Sequence, residues 1–424
     1  MRRTLAVVTV GCKANFADSA GIASQALRAG FDVVASRDPA DVVVINSCTV
    51  THKADRDSRA LARRLRRGNP RAVLVMTGCY AQASPEGRKD LPEVDHWIGI
   101  ADPGALSGLL GTLAGGLAPR EEGLSGYAVD RLLGRTRTFL KVQDGCDSHC
   151  AYCIVPTARG GSRSVPQREV VDWARRAEND GARELVLTGI HVGSYGIDRG
   201  ERDGLAALLE SLLASTRECR YRLGSVEPLE VTWRLVSLMA REKRICPHLH
   251  VPMQSGSDAV LRRMRRPYTA KQYHERLQLL SMEVPGIRLG ADVIAGFPGE
   301  SEQEFGETLA LIGVSPLSYL HAFPYSPRKG TESAGWSDDV PVAEKKMRVG
   351  VLRETDAAAR NGYLDAQVGR KLSVVVETRT EDREYRGTSE NYVEVVFRGG
   401  DIEEGEIVPV RIHTVQGGKL IGRA

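Results

Sequence analysis

Phe139-Leu140-Lys141-Val142-Gln143-Asp144-Gly145-Cys146-Asp147-Ser148-His149-Cys150-Ala151-Tyr152-Cys153 is the stretch from which the rest of the chain is read. A strand over Phe139–Val142 is followed closely by a glycine-led loop with CxxxCxxC spacing. Three thiolates on one loop can hold three irons of a cubane cluster and leave the fourth without a protein ligand. That open iron is the chemical point of the arrangement, because a substrate can bind there. The alternative reading of the spacing is a zinc site completed by His149 or by a distant cysteine.

Downstream of this loop, strand and helix alternate. Strands are expected near 139–142, 184–188, 221–225, 248–251, 289–294 and 318–323. Helices fall between them, near 167–179, 204–215, 229–240, 257–265, 270–282 and 301–312. Six βα units of this kind build an open, partial barrel of parallel strands. Upstream, Leu5 to Val10, Val42 to Ile45 and Val73 to Met76 are short apolar runs rich in β-branched residues. Ser19 to Ala29 and Ala54 to Arg67 read as helices, which makes the first part a parallel α/β sheet.

Cys12, Cys48 and Cys79 each lie just past one of those three strands. In a parallel α/β sheet such positions fall on one carboxyl edge, so cysteines far apart in sequence converge. A second cluster with three protein ligands is the reading preferred. Any one of them alone would pass for a small buried hydrophobe. Cys219 and Cys246 have no such placement and are read as core residues.

The segment 115–137 is rich in Gly, Arg and Glu and is read as a linker. Beyond Ala359 the pattern turns to β: Leu372 to Glu377, Tyr392 to Phe397 and Ile407 to Ile412, with glycine turns between, suggest a small barrel. The fold class expected is α/β, in modules 1–114, 138–360 and 361–424.

The chain has 424 residues, 42% hydrophobic and 26% charged, and a formal net charge of +4, so any nucleic-acid site must be local rather than a product of bulk charge. No apolar run is long enough to span a membrane. Met1-Arg2-Arg3 ahead of Thr4 to Val10 and Gly11-Cys12 faintly resembles a short export signal, but the run reads equally well as a buried strand. Eight cysteines with three clustered on one loop favour a metal or redox site in a reducing compartment, from which a cytoplasmic location is expected.

The chain resembles the methylthiotransferase family of radical S-adenosylmethionine (SAM) enzymes over essentially its whole length. The resemblance is carried by Gly11-Cys12, Asn46 to Thr51, Thr77 to Gln82, Val142 to Arg163, Leu187 to His191, Arg222 to Pro228, Pro252 to Asp258 and Asp292 to Glu300. It implies an N-terminal domain with an auxiliary cluster on Cys12, Cys48 and Cys79. It implies a partial (β/α)6 barrel with a radical-generating 4Fe-4S cluster on Cys146, Cys150 and Cys153, and a C-terminal TRAM barrel. Cys48-Thr49-Val50-Thr51, Ala54-Asp55, Ser58-Arg59 and Leu187 to Gly196 look like the branch that acts on N6-threonylcarbamoyladenosine at position 37 of tRNA. The other branches modify isopentenyladenosine in tRNA or an aspartate of a ribosomal protein. A non-catalytic zinc or RNA-binding module is the distant alternative.

In such an enzyme SAM chelates the open iron, and its cleavage supplies a radical able to attack an unreactive C2–H bond. The resemblance places Thr188 and Gly189 at the amino-acid end of SAM, Ser225 and Glu227 near its amino or ribose groups, Gln254 after the fourth strand and Ile294 beside the adenine. Each has an alternative role in capping or packing. Glu300 is read as a first-turn helix acid.

Expected partners are the tRNA anticodon stem-loop and an electron donor of flavodoxin or ferredoxin type, with neither membrane nor DNA. For RNA, Arg59, Arg63, Arg66 and Arg67 share one helical face and can grip phosphates. Arg262, Arg263, Arg265 and Arg266 form a second patch. Tyr385 and Tyr392 flank a glycine turn on the C-terminal module and can stack on unpaired bases. From Leu364 to the end there are nine Lys/Arg against eleven Asp/Glu, so that module is no basic clamp. A solvated arginine face and ordinary barrel packing are the competing readings.

Overall fold

The computed structural model describes residues 2–100, 102–115, 126–380 and 383–424. The N-terminal part builds β1 (Thr4–Thr9), α1 (Lys13–Arg28), β2 (Asp32–Val34), β3 (Val42–Ser47), α2 (His52–Gly68), β4 (Val73–Gly78), α3 (Cys79–Ala83), β5 (His96–Trp97) and α4 (Pro103–Ala114). The strands form one parallel sheet in the order β2-β1-β3-β4-β5. Central β3 is buried along its whole length, which is why its sequence is a continuous β-branched run rather than an alternating one. Register aligns the strand ends: Thr9 pairs with Asn46, Asn46 with Thr77, and Ser47 with Gly78. The residues that follow β1, β3 and β4 therefore emerge on one edge.

Of the segment read as a linker, 116–125 lies outside the described residues. Gly126–Leu132 forms α5, which packs against α1, and Val129 and Asp130 are fully buried. Seven residues are too few to show a helical period in sequence.

The central part runs through β6 (Thr138–Lys141), β7 (Gln143–Asp144), α6 (Val155–Arg159), β8 (Arg163–Ser164), α7 (Gln167–Asn179), β9 (Glu184–Thr188), α8 (Gly204–Ser215), β10 (Arg220–Leu223) and α9 (Trp233–Arg241). It continues with β11 (His248–His250), α10 (Asp258–Arg263), α11 (Ala270–Glu283), β12 (Arg288–Ala295), α12 (Glu302–Val314) and β13 (Tyr319–Pro324). Parallel sheets β10-β9-β6 and β11-β12-β13 are joined by bridges Tyr221–Ile245 and Ser225–His250, giving the expected six-stranded open barrel. Leu185, Leu187, Tyr221, Leu223, Leu249, Leu289, Ala291 and Val293 face the helices and form the main core. Strand alternation turns Glu184, Thr188, Arg220, Arg222, His248, His250 and Asp292 toward the lumen, which is correspondingly polar.

Helix α13 (Val342–Asp365) leads to β14 (Lys371–Arg379), β15 (Glu384–Ser389), β16 (Glu394–Arg398), β17 (Ile407–Gln416) and β18 (Lys419–Arg423), a closed barrel in the order β14-β15-β16-β18-β17. The sequence reading anticipates three of its strands and misses β15 and β18, whose glycines and charges mask the alternation. The small barrel docks on the amino ends of the central strands. Arg220 donates to Ser373 O at 2.8 Å, and Arg222 donates to Ser389 O and Glu390 O at 2.9 Å each. Among the described residues, no helix is long and apolar enough to cross a membrane.

Candidate active site

The three N-terminal cysteines meet at the carboxyl edge of their sheet. Cys12 caps α1, Cys48 follows β3 directly, and Cys79 opens α3 directly after β4. Close approach depends on Gly11, whose φ is +118°; a Cβ there would sit 2.7 Å from Cys48 Cβ. The Asn15 amide donates to Val10 O at 2.8 Å and to Ser47 O at 2.9 Å, tying the Cys12 and Cys48 loops together. Burial pushes the Cys79 thiol up to about 11, against the opposing charge of Arg159.

The central loop is folded back on itself. Gly145 has φ +71°, and a side chain there would overlap the Gly161 carbonyl. Cys146 N donates to Gly160 O at 3.1 Å, and Cys153 N to Cys150 O at 3.0 Å. N–H groups point at the thiols: Ser148 N lies 3.3 Å from Cys146 Sγ, and Arg266 Nη1 lies 3.2 Å from Cys150 Sγ. His191 Nδ1 is 3.5 Å from Cys146 Sγ, and its other ring nitrogen is 2.6 Å from a Glu230 oxygen. Burial pushes the Cys153 thiol up to about 12, a cost that a bound cation would remove.

The donor spacing distinguishes the metal readings. Tetrahedral zinc holds its sulfurs about 3.8 Å apart. Among the described residues, the only His, Cys, Asp or Glu triad with ligand atoms all within 4.8 Å of one another is His250, Asp292 and His321. Neither cysteine triad is closed around a single ion, and His149 points to solvent. Two open sets of three thiols, each supplied with N–H donors or a cation, match the three-cysteine donor set that leaves one iron of a cubane without a protein ligand.

The residues expected around SAM gather on the same side of the barrel as the Cys146–Cys153 loop. Thr188 ends β9 and is buried; Gly189 leaves no room for a side chain, since a Cβ would lie 2.7 Å from Gln143 O. Ser225 is exposed just past β10, and Glu227 two residues on is paired with Arg266. Gln254 takes φ +64° after β11 and accepts Ile294 N at 2.9 Å, which puts Gln254 and Ile294 side by side. Glu300 is not a first-turn acid. Helix α12 begins at Glu302 with Ser301 as its cap, and Glu300 is buried, accepting Gly296 N at 2.6 Å and Arg348 Nη1 at 2.8 Å.

The expected RNA contacts divide. Arg67 is exposed on α2, and Arg63 is exposed while reaching Asp90 O and Glu93. Arg59 shares the hydroxyl and ring of Tyr80. Arg66 is a correction: its donors are spent on Pro70 O, Ala72 O, Glu93 O and Asp95. Tyr385 is a second, fully buried against Phe397 with its hydroxyl on Gly400 O, because β15 alternation points it into the barrel core. Tyr392 faces the large barrel and not solvent, with its ring among Lys13, Arg222 and His248. In the second arginine patch, Arg263 pairs with Glu304, Arg265 with Glu332, and Arg266 is buried.

Sequence reading missed the residues that fasten the two parts together. Arg159 on α6 reaches Cys79, Asn15, Asp18 and Asp144. Arg328, after β13, donates to Thr49 Oγ1 and to Asp55 Oδ2 at 2.7 Å each. No local pattern marks either one, because their partners lie far away in sequence.

Comparison with known proteins agrees with this anatomy. The model described as Uncharacterized protein family UPF0004 matches residues 4–99, and that of the Radical SAM superfamily matches residues 140–312. Threonylcarbamoyladenosine tRNA methylthiotransferase MtaB of Bacillus subtilis (strain 168) is 37% identical over 423 residues, 96% of this chain and 93% of the relative. Ribosomal protein uS12 methylthiotransferase RimO of Desulforudis audaxviator (strain MP104C) is 34% identical, over 96% of this chain and 94% of the relative. Among solved structures, the radical S-adenosylmethionine methyltransferase TsrM from Kitasatospora setae superposes with a TM-score of 0.54 at 14% identity, covering 76% of this chain and 73% of that one, a likeness of fold alone. The superfamily implies a 4Fe-4S cluster and SAM. With relatives this similar over nearly its full length, the chain belongs to the radical SAM methylthiotransferase family.

Proposed function

We propose that this chain is a tRNA methylthiotransferase that places a methylthio group at C2 of N6-threonylcarbamoyladenosine at position 37. One observation carries the reading: two thiol triads on separate scaffolds face one junction, and a single buried arginine spans it. The substrate follows the name of the Bacillus subtilis relative and the Cys48-Thr49-Val50-Thr51 and Ala54-Asp55 motifs.

Cys146, Cys150 and Cys153 hold the radical-generating cluster, and Cys12, Cys48 and Cys79 a second, auxiliary one. The first would supply one-electron chemistry toward SAM, giving access to a C–H bond that acid–base groups cannot break. The chain's own residues hold these parts in place. The N–H groups of Ser148 and Arg266 direct positive charge at Cys146 and Cys150, and that of Arg159 at Cys79, lowering the cost of negative sulfur in a buried site. Thr188, Gly189, Ser225, Gln254 and Ile294 line the SAM site. Glu227, already engaged by Arg266, fixes the rim beside Cys150. Tyr152, Phe297 and Ile294 pack as an apolar wall that excludes water.

Helix α2 leaves the Cys48 loop directly, so Arg59, Arg63 and Arg67 stand where an anticodon stem would approach the junction. A flavodoxin- or ferredoxin-type protein supplies electrons. Modified-nucleoside mass analysis of a deletion strain tests the substrate. Loss of the methylthio group from threonylcarbamoyladenosine is expected. An unchanged nucleoside, with a mass shift in isopentenyladenosine or in a ribosomal protein, would assign the chain to another branch. Anaerobic reconstitution tests the clusters: about eight irons per chain are expected. Cys146→Ala stops SAM cleavage, whereas Cys48→Ala keeps it and loses sulfur insertion.

A further inference from the structure

The floor of the barrel lumen gathers several cations around one tyrosine. Lys13, next to Cys12, turns its largely buried ammonium to within 4.7 Å of the Tyr392 ring centroid. The guanidinium carbons of Arg222 and Arg137 lie 4.9 and 5.7 Å from the same centroid, and Arg288 donates to the Tyr392 carbonyl. The His248 ring closes another side at 4.6 Å. Three cations from three separate segments thus surround one phenol, and a fourth holds its backbone.

Arg222 and Arg137 have partners. Arg222 Nε donates to Glu184 at 2.8 Å, and Arg137 Nε lies 2.8 Å from Glu377. Lys13 has no carboxylate partner: among the described residues none lies within 4.0 Å of its ammonium, which hydrogen-bonds the Tyr392 side chain and has Arg222 and Arg137 as its cationic neighbours. A long side chain could have reached solvent. Directing this one inward beside two guanidiniums is costly unless an anion arrives to offset it.

We propose that Lys13 binds the carboxylate of the N6-threonylcarbamoyl substituent on the target adenosine. This rests on the substrate proposed above and names the group by which that substrate is chosen. Adenosines with an apolar N6 substituent would leave the lysine without a carboxylate counterion, and a site with an unmatched buried charge disfavours such a ligand. Lys13 adjoins Cys12, so one turn of chain would hold both a cluster ligand and the handle that orients the base against it.

The test measures anaerobic binding of the reconstituted full chain to two anticodon stem-loop RNAs. They are identical except that residue 37 carries threonylcarbamoyladenosine in one and its carboxamide counterpart in the other. Wild type should prefer the carboxylate RNA by about tenfold or more. Lys13→Met should erase that preference while leaving affinity for the carboxamide RNA unchanged, and Lys13→Arg should restore most of it. The readout is a ratio within each variant, so a smaller folded fraction cannot imitate the result. Equal weakening of both RNAs would mean a phosphate contact and overturn the proposal, as would a preference that survives in Lys13→Met. A wild type that does not distinguish the RNAs would instead sink the substrate reading on which the proposal rests.

Discussion

Arg159 donates its Nε–H to the Cys79 thiol at 3.1 Å, across the junction between the N-terminal sheet and the large barrel. Its other nitrogens donate to Asn15 Oδ1 at 2.6 Å, Asp18 at 2.9 Å and Asp144 at 3.0 Å. The side chain is wholly buried, and its helix begins just after Cys153. One planar fork therefore sets the distance between the two thiol triads. Arg159→Met keeps the volume but leaves Asp18 and Asp144 with Lys141 as their remaining cation. Breaking a buried network of this kind costs about 3–5 kcal/mol. Denaturant unfolding should show that loss, and Arg159→Lys should not repair it, because an ammonium cannot match a fork of four acceptors. An unchanged midpoint would remove Arg159 from its place at the junction.

Gly11 gives a more local handle on the N-terminal triad. Its backbone is in the left-handed region, and an added methyl would meet both Cβ and Sγ of Cys48, at 2.7 and 3.0 Å. Gly11→Ala should therefore separate Cys12 from Cys48 while sparing the central loop. After reconstitution, iron should fall from about eight to about four per chain, with SAM cleavage retained. Full iron loading would show that the first triad tolerates the displacement.

Much of this site is visible in the sequence because its parts are local. Cys48 and Cys79 each end a β-branched run, and parallel strands in register must bring such ends together. The CxxxCxxC loop sits after its strand for the same reason. What holds the two halves in register is not local. Arg159 and Cys79 are 80 residues apart, Arg266 and Cys150 are 116 apart, and Arg328 and Thr49 are 279 apart. No periodicity encodes such pairs. Tyr385 misleads in a different way. Its strand reads Glu384-Tyr385-Arg386-Gly387-Thr388-Ser389, where glycine and charge hide the alternation that points the ring inward.

The second clamp is as testable as the first. Asp55 accepts Thr49 Oγ1 on one oxygen and Arg328 Nη2 on the other, both at 2.7 Å, and so fixes the turn that carries Cys48 to the far end of the barrel. Asp55→Ala leaves Arg328 buried without its carboxylate, at a cost of about 3 kcal/mol. Limited proteolysis should then cut the Cys48–His52 turn sooner than in wild type. Conservative Asp55→Asn keeps the Thr49 contact and should fall between the two. Equal resistance of all three proteins would argue against the clamp.

Glu184 supplies a prediction in pH. It is fully buried and accepts Arg222 Nε at 2.8 Å, Arg222 Nη2 at 2.9 Å and Arg220 Nε at 2.7 Å, with Arg137 3.8 Å away. Burial alone would raise its carboxyl; Arg222 and Arg220 outweigh that and hold it well below the usual carboxylate range. A depressed folded-state value adds stability that is present above the unfolded value, about 4.3, and is lost as pH falls through the folded one. Glu184→Gln should therefore be less stable than wild type by about 3–5 kcal/mol at neutral pH, since two buried guanidiniums lose their anion. The gap between the two proteins should stay level from about pH 8 to pH 5 and narrow only below about pH 4. Because both carry every other titrating group, unfolding midpoints measured across that range isolate Glu184. A gap that widens as the solution is acidified would mean the carboxyl is protonated in the fold, with Arg222 satisfied by the Ser389 and Glu390 carbonyls and Arg220 by those of Ser373 and Thr388 instead.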